Sequence, residues 1–352
     1  MARRVVVFYV SGHGFGHASR SIEIINALLA RQPDLRVIIR SSVAPWLVER
    51  TAAPGVELSS REVDTGVVQL GSLHLDAPAS IARATAFMST FAARVRTEVE
   101  FLREQAATLT ISDMPPLGIA AGRAAGIPAI ATGNFTWDWI YEHYAGGDEV
   151  AGQIGEIYRA TTLALRLPMW GGFETMPNVQ DLPFVARRSQ RPPAEVRAAL
   201  GIPRDSRVVL PSFGGYGIEG FDLSALSTMS GYHVLLPGMI DEQSMYDSGF
   251  RYEDLVRAVD VVVTKPGYGI ISECLANNTA LLYTSRGDFR EYDVLVDAMP
   301  AFLRCAFIEH NDLFAGQWTP YLDSLLAQPP PPTQPATNGA DAAADILMDL
   351  LQ

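Results

Sequence analysis

Residues 261–285, VVVTKPGYGIISECLANNTALLYTS, admit few folds. Val261, Val262 and Val263 are β-branched and continuously apolar, the pattern of a strand buried on both faces. Lys265-Pro266-Gly267-Tyr268-Gly269 stops that strand, residues 270–276 continue as a short helix, and a second apolar strand follows. The free backbone N–H groups at the start of such a helix face the turn and form an anion site. Glu273 stands about one turn into the helix, where a carboxylate reaches past a bound diphosphate to the vicinal hydroxyls of a ribose. Lys265, the only lysine in the chain, lies at the phosphate-facing turn. The same glycine turn serves any βαβ unit, so the pattern alone leaves a purely structural turn open.

The rest of the chain repeats this theme. Residues 5–10 form an apolar run, followed by Ser11-Gly12-His13-Gly14-Phe15-Gly16-His17 and a periodic helix over 18–31 with Ile22, Ile25, Leu28 and Leu29 on one face. Strands are predicted at 36–40, 56–58, 108–112 (ending at Asp113) and 127–131, with a long helical pattern over 79–107. Pro183, Arg187-Arg188 and Pro192-Pro193 interrupt the pattern. A second series then opens at 207–210, leads into a glycine loop containing Gly214 and Gly215, and continues through strand 233–236 and helix 252–258 to the 261–285 unit. Alternating strands and helices predict parallel, doubly wound sheets, an α/β fold. The prolines at 329–332 form a stiff spacer before a last amphipathic helix at 338–351.

At 352 residues with 48% hydrophobic content, the chain has material for two domains. Its net charge of -12 argues against nonspecific binding to nucleic acid or anionic membrane, both of which require a cationic face. Two cysteines, Cys274 and Cys305, are too few for a disulfide framework and suit a reducing, cytoplasmic setting. The apolar run after the first arginines is too short for a signal peptide core or a membrane span. No metal-ligand spacing and no D-x-D pattern at a strand end is evident, so neither a metal nor another cofactor is expected.

The stretches SGHGFGHASR, ISDMPP, GNFTWDWIYEHY and VTKPGYG resemble the glycosyltransferase-like N-terminal half of plant L-arabinokinases, and the match spans nearly the whole chain. The run 265–293, with Glu273 and the loop Arg286-Gly287-Asp288-Phe289-Arg290-Glu291, is similar in layout to the nucleotide-sugar motif of GT-B glycosyltransferases. These include the UDP-glycosyltransferases and the peptidoglycan N-acetylglucosaminyltransferases. The resemblance implies two Rossmann-like domains facing a cleft: an acceptor domain at 1–186, a linker at 187–206 and a donor domain at 207–328. The segment 329–352 would then cross back to the first domain. It also implies metal-independent, inverting transfer of a sugar from a nucleoside diphosphate, with UDP favoured, to a hydroxyl-bearing acceptor. The arabinokinase family continues into a sugar kinase domain, whose glycine-serine loop this sequence lacks, so sugar phosphorylation is not carried over.

Candidate residues follow. His17, where the helix begins, matches the position at which inverting GT-B enzymes place a histidine, and a neutral imidazole with an ordinary pKa near about 6.5 suits a general base. His13 is a second candidate, or a packing residue of the loop. Asp113 either hydrogen-bonds a histidine and holds its tautomer, or caps the helix that starts near Leu117. Asn134, Trp137 and Asp138 combine an aromatic face with polar groups suited to an acceptor. On the donor side stand Gly214, Gly215, Lys265, Gly267, Tyr268, Gly269 and Glu273. Asp288 and Glu291 correspond by layout to the pair that reads sugar hydroxyls, where the commoner pattern has glutamine. An epimerase acting on the nucleotide-sugar, or a non-catalytic binding protein, has the same architecture, and the oligomeric state is open.

Overall fold

The computed structural model describes residues 4–214, 220–236, 238–240 and 242–351. Gly215 lies outside these. Two parallel sheets organise the molecule. The first contains strands β1 (Val5–Val10), β2 (Arg36–Ser41), β3 (Glu57–Ser60), β6 (Ala107–Asp113), β7 (Ala129–Phe135), β8 (Leu163–Gly171) and β9 (Val179–Asp181), in the order β3-β2-β1-β6-β7-β8-β9. A small antiparallel hairpin, β4 (Val68–Gln69) with β5 (Leu75–Asp76), lies in the β3 to β6 connection. The second sheet contains β10 (Arg207–Pro211), β11 (Tyr232–Val234), β12 (Val261–Thr264), β13 (Ala280–Tyr283) and β14 (Cys305–Phe307), in the order β11-β10-β12-β13-β14. Both are doubly wound α/β sheets, as the alternation of strands and helices predicts.

The continuous apolar runs have a simple cause: each strand feeds two cores. In β1, Val6, Phe8 and Val10 join the cluster under helix Phe15–Arg31, while Val5, Val7 and Tyr9 join the one on the opposite face. In β12, Val262 packs with the first of these clusters, and Val261 and Val263 pack around Trp318 and Leu322. Side chains that alternate between two buried faces leave no polar position.

One helical expectation is corrected. The pattern over 79–107 is two helices, Ala77–Ser89 and Phe91–Glu104. The hydroxyls of Ser89 and Thr90 bond back to the carbonyls of Ala86 and Phe87 at 2.8 and 3.1 Å, competing with the helical ladder at the break. The segment 187–206 contains a helix of its own, Pro193–Ala199. Helix Gly339–Leu350 lies on helix Phe15–Arg31, with Ala343, Ala344 and Leu347 in the same apolar cluster as Ile25 and Leu28. Arg31 clamps it by donating to Asp341 and Asp345 at 2.9 and 2.6 Å.

The strand orders decide where chemistry can sit. In each sheet the winding direction reverses once, between β1 and β6 in the first and between β10 and β12 in the second. Loops leaving the carboxyl ends of such strand pairs diverge and open a crevice. His13 and His17 follow β1, Asp113 ends β6, Gly214 follows β10 and Lys265 follows β12.

Candidate active site

At the first crevice, β1 and β6 run in register, so that Val10 pairs with Asp113 and the Ser11 N–H donates to the Asp113 carbonyl at 3.0 Å. Gly14, at φ 72°, makes the left-handed turn that starts helix Phe15–Arg31. His17 is thereby placed in the first helical turn. Its Nδ1 lies 2.8 Å from Asp113 Oδ1, which makes Nδ1–H the donor and leaves Nε2 with a lone pair. The ring packs edge-on to Phe135 at 5.4 Å and against Trp137 at 6.1 Å.

Asp113 is 1% exposed and accepts three further hydrogen bonds from two side chains of the same helix. Arg20 Nε and Nη2 fork onto its two oxygens at 2.7 and 2.5 Å, and Ser21 Oγ donates at 2.9 Å. Burial alone would raise this carboxyl, but the Arg20 guanidinium and the His17 ring outweigh it and hold Asp113 at about 2. No side chain caps helix Pro116–Ala125, so the helix-cap role weighed for Asp113 is not the one it takes.

His13 lies in the glycine loop with its ring 5.9 Å from Trp137 and 6.4 Å from Phe289. Burial drives it well below the ordinary imidazole value, and the nearby His17, Arg286 and Lys265 charges push the same way, so it is a neutral ring. Gly66 makes room for it, since a Cβ there would fall 2.7 Å from His13 Cβ. Trp137 is 1% exposed and donates its Nε1–H to Asp64 at 2.9 Å. Asp64 also accepts from Ser11 Oγ at 3.1 Å, and burial lifts its carboxyl to about 6 against the pull of Ser11, His17 and Trp137.

The other two acceptor-side candidates are engaged elsewhere. Asp138 accepts from the Trp139 N–H at 2.9 Å and from Thr175 at 3.3 Å. Asn134 is fully buried between Arg20 and Glu291.

At the second crevice, Gly267 precedes helix Tyr268–Asn277 and no side chain caps that helix. Gly269 touches helix Phe15–Arg31 directly: a Cβ on Gly269 would sit 3.6 Å from Gly16 Cα. Tyr268 is buried, its hydroxyl oxygen accepting from the Val185 N–H at 3.0 Å, with the Arg20 guanidinium 5.3 Å from its ring centre. The uncapped helix start therefore abuts the first turn of the helix that carries His17. Lys265 is pushed down to about 7 by burial and by the Arg286 charge, and no carboxylate among the described residues counters either. Gly214 follows β10 with φ 73°.

Glu273 is 4% exposed and bonds to Arg187, whose Nε donates to Oε1 at 2.7 Å and whose Nη2 donates to the same oxygen. Burial raises the Glu273 carboxyl and Arg187 opposes that rise. The 286–291 loop is docked on the first sheet's elements. Asp288 pairs with His143 at 2.6 Å on the surface, and its carbonyl accepts from Tyr144 Oη at 3.1 Å. Phe289 is 3% exposed and packs 5.9 Å from Phe135. Arg290 Nη1 donates to the Trp139 carbonyl at 2.5 Å, and Glu291 accepts from Asn134 and from Arg286.

Sequence reasoning passed over Arg20, Asp64, Arg187 and Phe289. Arg20 carried a signal, since it falls three residues after His17 and therefore on the same helix face. Arg187 and Phe289 carried none, because their partners are 86 and more residues away in the chain. Among the described residues, no group of three or more His, Cys, Asp or Glu side chains is placed to hold a metal ion. Likewise, no helix is long and apolar enough to cross a membrane.

No family model matches the chain. It is 32% identical over 360 residues to the L-arabinokinase of Arabidopsis thaliana, a match covering 98% of this chain and 34% of that protein. The chain thus spans about a third of the length of that curated relative. Among solved structures it is similar to the calicheamicin glycosyltransferase CalG4, with TM-score 0.62 and 16% identity over 100% of this chain and 99% of that one. It is also similar to Phytolacca americana UGT2 complexed with UDP-2fluoro-glucose and pterostilbene, with TM-score 0.61 and 12% identity over 99% and 94% of the two chains. These likenesses show the fold: the two doubly wound sheets are those of GT-B glycosyltransferases.

Proposed function

We propose that this protein is a glycosyltransferase that moves a sugar from a nucleoside diphosphate, UDP being the leading candidate, to a hydroxyl-bearing acceptor. The observation that carries the reading is the meeting of the two crevices. The His17–Asp113 pair of one sheet lies against the uncapped helix start of the other, beside Lys265 and Arg286. A base and an anion site on opposite sides of one gap are what a displacement with a diphosphate leaving group requires.

In this mechanism His17 Nε2 takes the proton of the acceptor hydroxyl as its oxygen attacks the anomeric carbon. The new C–O bond forms on the face opposite the breaking bond to phosphate, so the configuration inverts. Asp113 holds the Nδ1–H tautomer and faces the imidazolium as it forms. The electron pair of the broken bond leaves with the diphosphate, whose charge falls on Lys265, Arg286 and the helix N–H groups at Gly269. These groups supply the positive field that a divalent ion supplies in other transferases, which supports a metal-independent reaction.

The ribose role of Glu273 is compatible with its pairing, because both bonds from Arg187 fall on Oε1. Trp137 and the rings around His13 would face the acceptor. For Asp288 and Glu291 the docked loop favours a part in closing the seam over reading sugar hydroxyls.

Thermal unfolding with UDP, dTDP, GDP, ADP and their sugar conjugates tests the donor. A ligand at about 100 times its Kd adds roughly 2.7 kcal/mol, a rise of a few degrees in a chain of this size. A shift selective for one nucleotide supports the reading, and no shift with any of them overturns it. His17→Ala should keep that shift and abolish transfer; unchanged turnover would remove His17 from the mechanism.

A further inference from the structure

A buried line of hydrogen bonds joins the His17–Asp113 pair to the loop of the opposite domain. Arg20 grips Asp113 with Nε and Nη2, and its remaining nitrogen, Nη1, donates to Asn134 Oδ1 at 2.5 Å. Asn134 Nδ2 donates to Glu291 Oε1 at 2.7 Å, and Glu291 Oε2 accepts from Arg286 Nη1 at 2.9 Å. Asp113, Arg20, Asn134 and Glu291 are each no more than 5% exposed.

The line has a direction. Asn134 faces a guanidinium with its oxygen and a carboxylate with its NH2, so the reverse amide orientation would put donor against donor and acceptor against acceptor. A seam needing only adhesion would be served as well by apolar side chains, since buried ion pairs seldom stabilise more than their hydrophobic replacements. A polar line is satisfied in one arrangement only. Arg20 meets Asn134 fully when the amide is turned toward it, and Glu291 fixes that turn from the other domain. The loop that carries Glu291 also carries Arg286, the charge that acts on Lys265 at the anion site.

We infer that Arg20, Asn134 and Glu291 are positioning residues, a relay through which the docked 286–291 loop sets the Asp113 carboxylate and, through it, the His17 ring. Assembly of the histidine pair is then coupled to closure of the seam on the donor side. The functional meaning rests on the reading of His17 as the base, whereas the coupling itself can be measured without any substrate.

The test is NMR of the full chain labelled at its six histidine rings, following the His17 Nδ1–H signal. Glu291→Gln keeps the volume and removes the charge, and Asn134→Leu removes both central bonds. Each should make the His17 ring proton exchange with water about fivefold faster, the factor expected for loss of one ordinary hydrogen bond. Asp288→Ala, on the same loop but facing the surface, should leave the signal in place. His74 and His310 signals report that the variants are folded; if Asn134→Leu is not, Glu291→Gln decides.

An unaltered His17 signal in folded Glu291→Gln overturns the relay, and so does an equal change in Asp288→Ala. UDP added to the same samples separates the two ideas. A responding His17 with no shift in melting from UDP or from any other nucleotide of the panel keeps the relay and removes the nucleotide-sugar reading. A UDP shift with an unresponsive His17 removes only the relay.

Discussion

The crevice beside β1 and β6 balances its charges inside the protein, whereas the crevice beside β10 and β12 leaves them for something else to balance. Asp113 is held at about 2 by Arg20 and His17, with every oxygen occupied. Lys265 is held at about 7 by burial and by Arg286, and the buried carboxylate of the 286–291 loop, Glu291, is already shared between Arg286 and Asn134. Two sites alike in topology therefore differ in how their charges are balanced. In one, the buried charges are paired within the protein; in the other, a buried amine has no described carboxylate partner, which is where the proposed diphosphate would bring its charge.

The comparison can be broken most forcefully on the paired side. Arg20→Met strands a buried carboxylate and should cost about 3–5 kcal/mol in urea unfolding near pH 7; a loss under about 1 kcal/mol would show that Asp113 is not dependent on it. The dependence has a sign in pH. The Asp113 value is lowered, so its contribution is complete above the unfolded value of 3.8 and disappears as pH falls through about 2. A smaller effect is expected where the loop docks. Phe289→Ala opens the aromatic seam beside Phe135 and should cost about 3 kcal/mol by the same measurement, and a cost near zero would mean that the loop is not anchored there.

The unpaired side should respond in the opposite direction. Lys265→Met is expected to raise stability by about 1–2 kcal/mol near pH 7, a figure reduced for the partial exposure of the amine. Because the folded value is lowered from 10.5 to about 7, the gain is full below pH 7 and fades as pH rises toward 10.5. The same variant should lose the nucleotide-induced melting shift. Lower stability at pH 6 in Lys265→Met would contradict the description of this crevice. The smallest effect belongs to the exposed Asp288–His143 pair, where Asp288→Asn should change stability by less than about 1 kcal/mol.

Much of this was legible in the sequence because it is local. The apolar runs of β1 and β12, the glycine turns after them and the positions of His17, Asp113 and Lys265 at strand ends all follow from windows of ten to twenty residues. The reversals of strand order that bring these ends together are properties of the whole sheet, and the alternation of elements predicts the sheet without its order. Arg20 was within reach of the helical period. The partners of Asn134, Glu273 and Phe289 were not, since those contacts depend on how two sheets are set against each other. Asn134 shows the effect most plainly: its neighbours Phe135 and Trp137 suggest an acceptor pocket, yet its amide is spent between Arg20 and Glu291.

The seating of helix Gly339–Leu350 on the His17-bearing helix also has a kinetic consequence. Arg31 and Asp345 are 314 positions apart, which is contact order of an extreme kind for a domain whose sheet is finished by residue 181. Loop closure over such a span comes late, and on the ribosome it cannot come before the last turn of that helix has emerged. Part of the apolar packing of the His17-bearing helix is thus completed only by a segment more than 300 positions downstream of it.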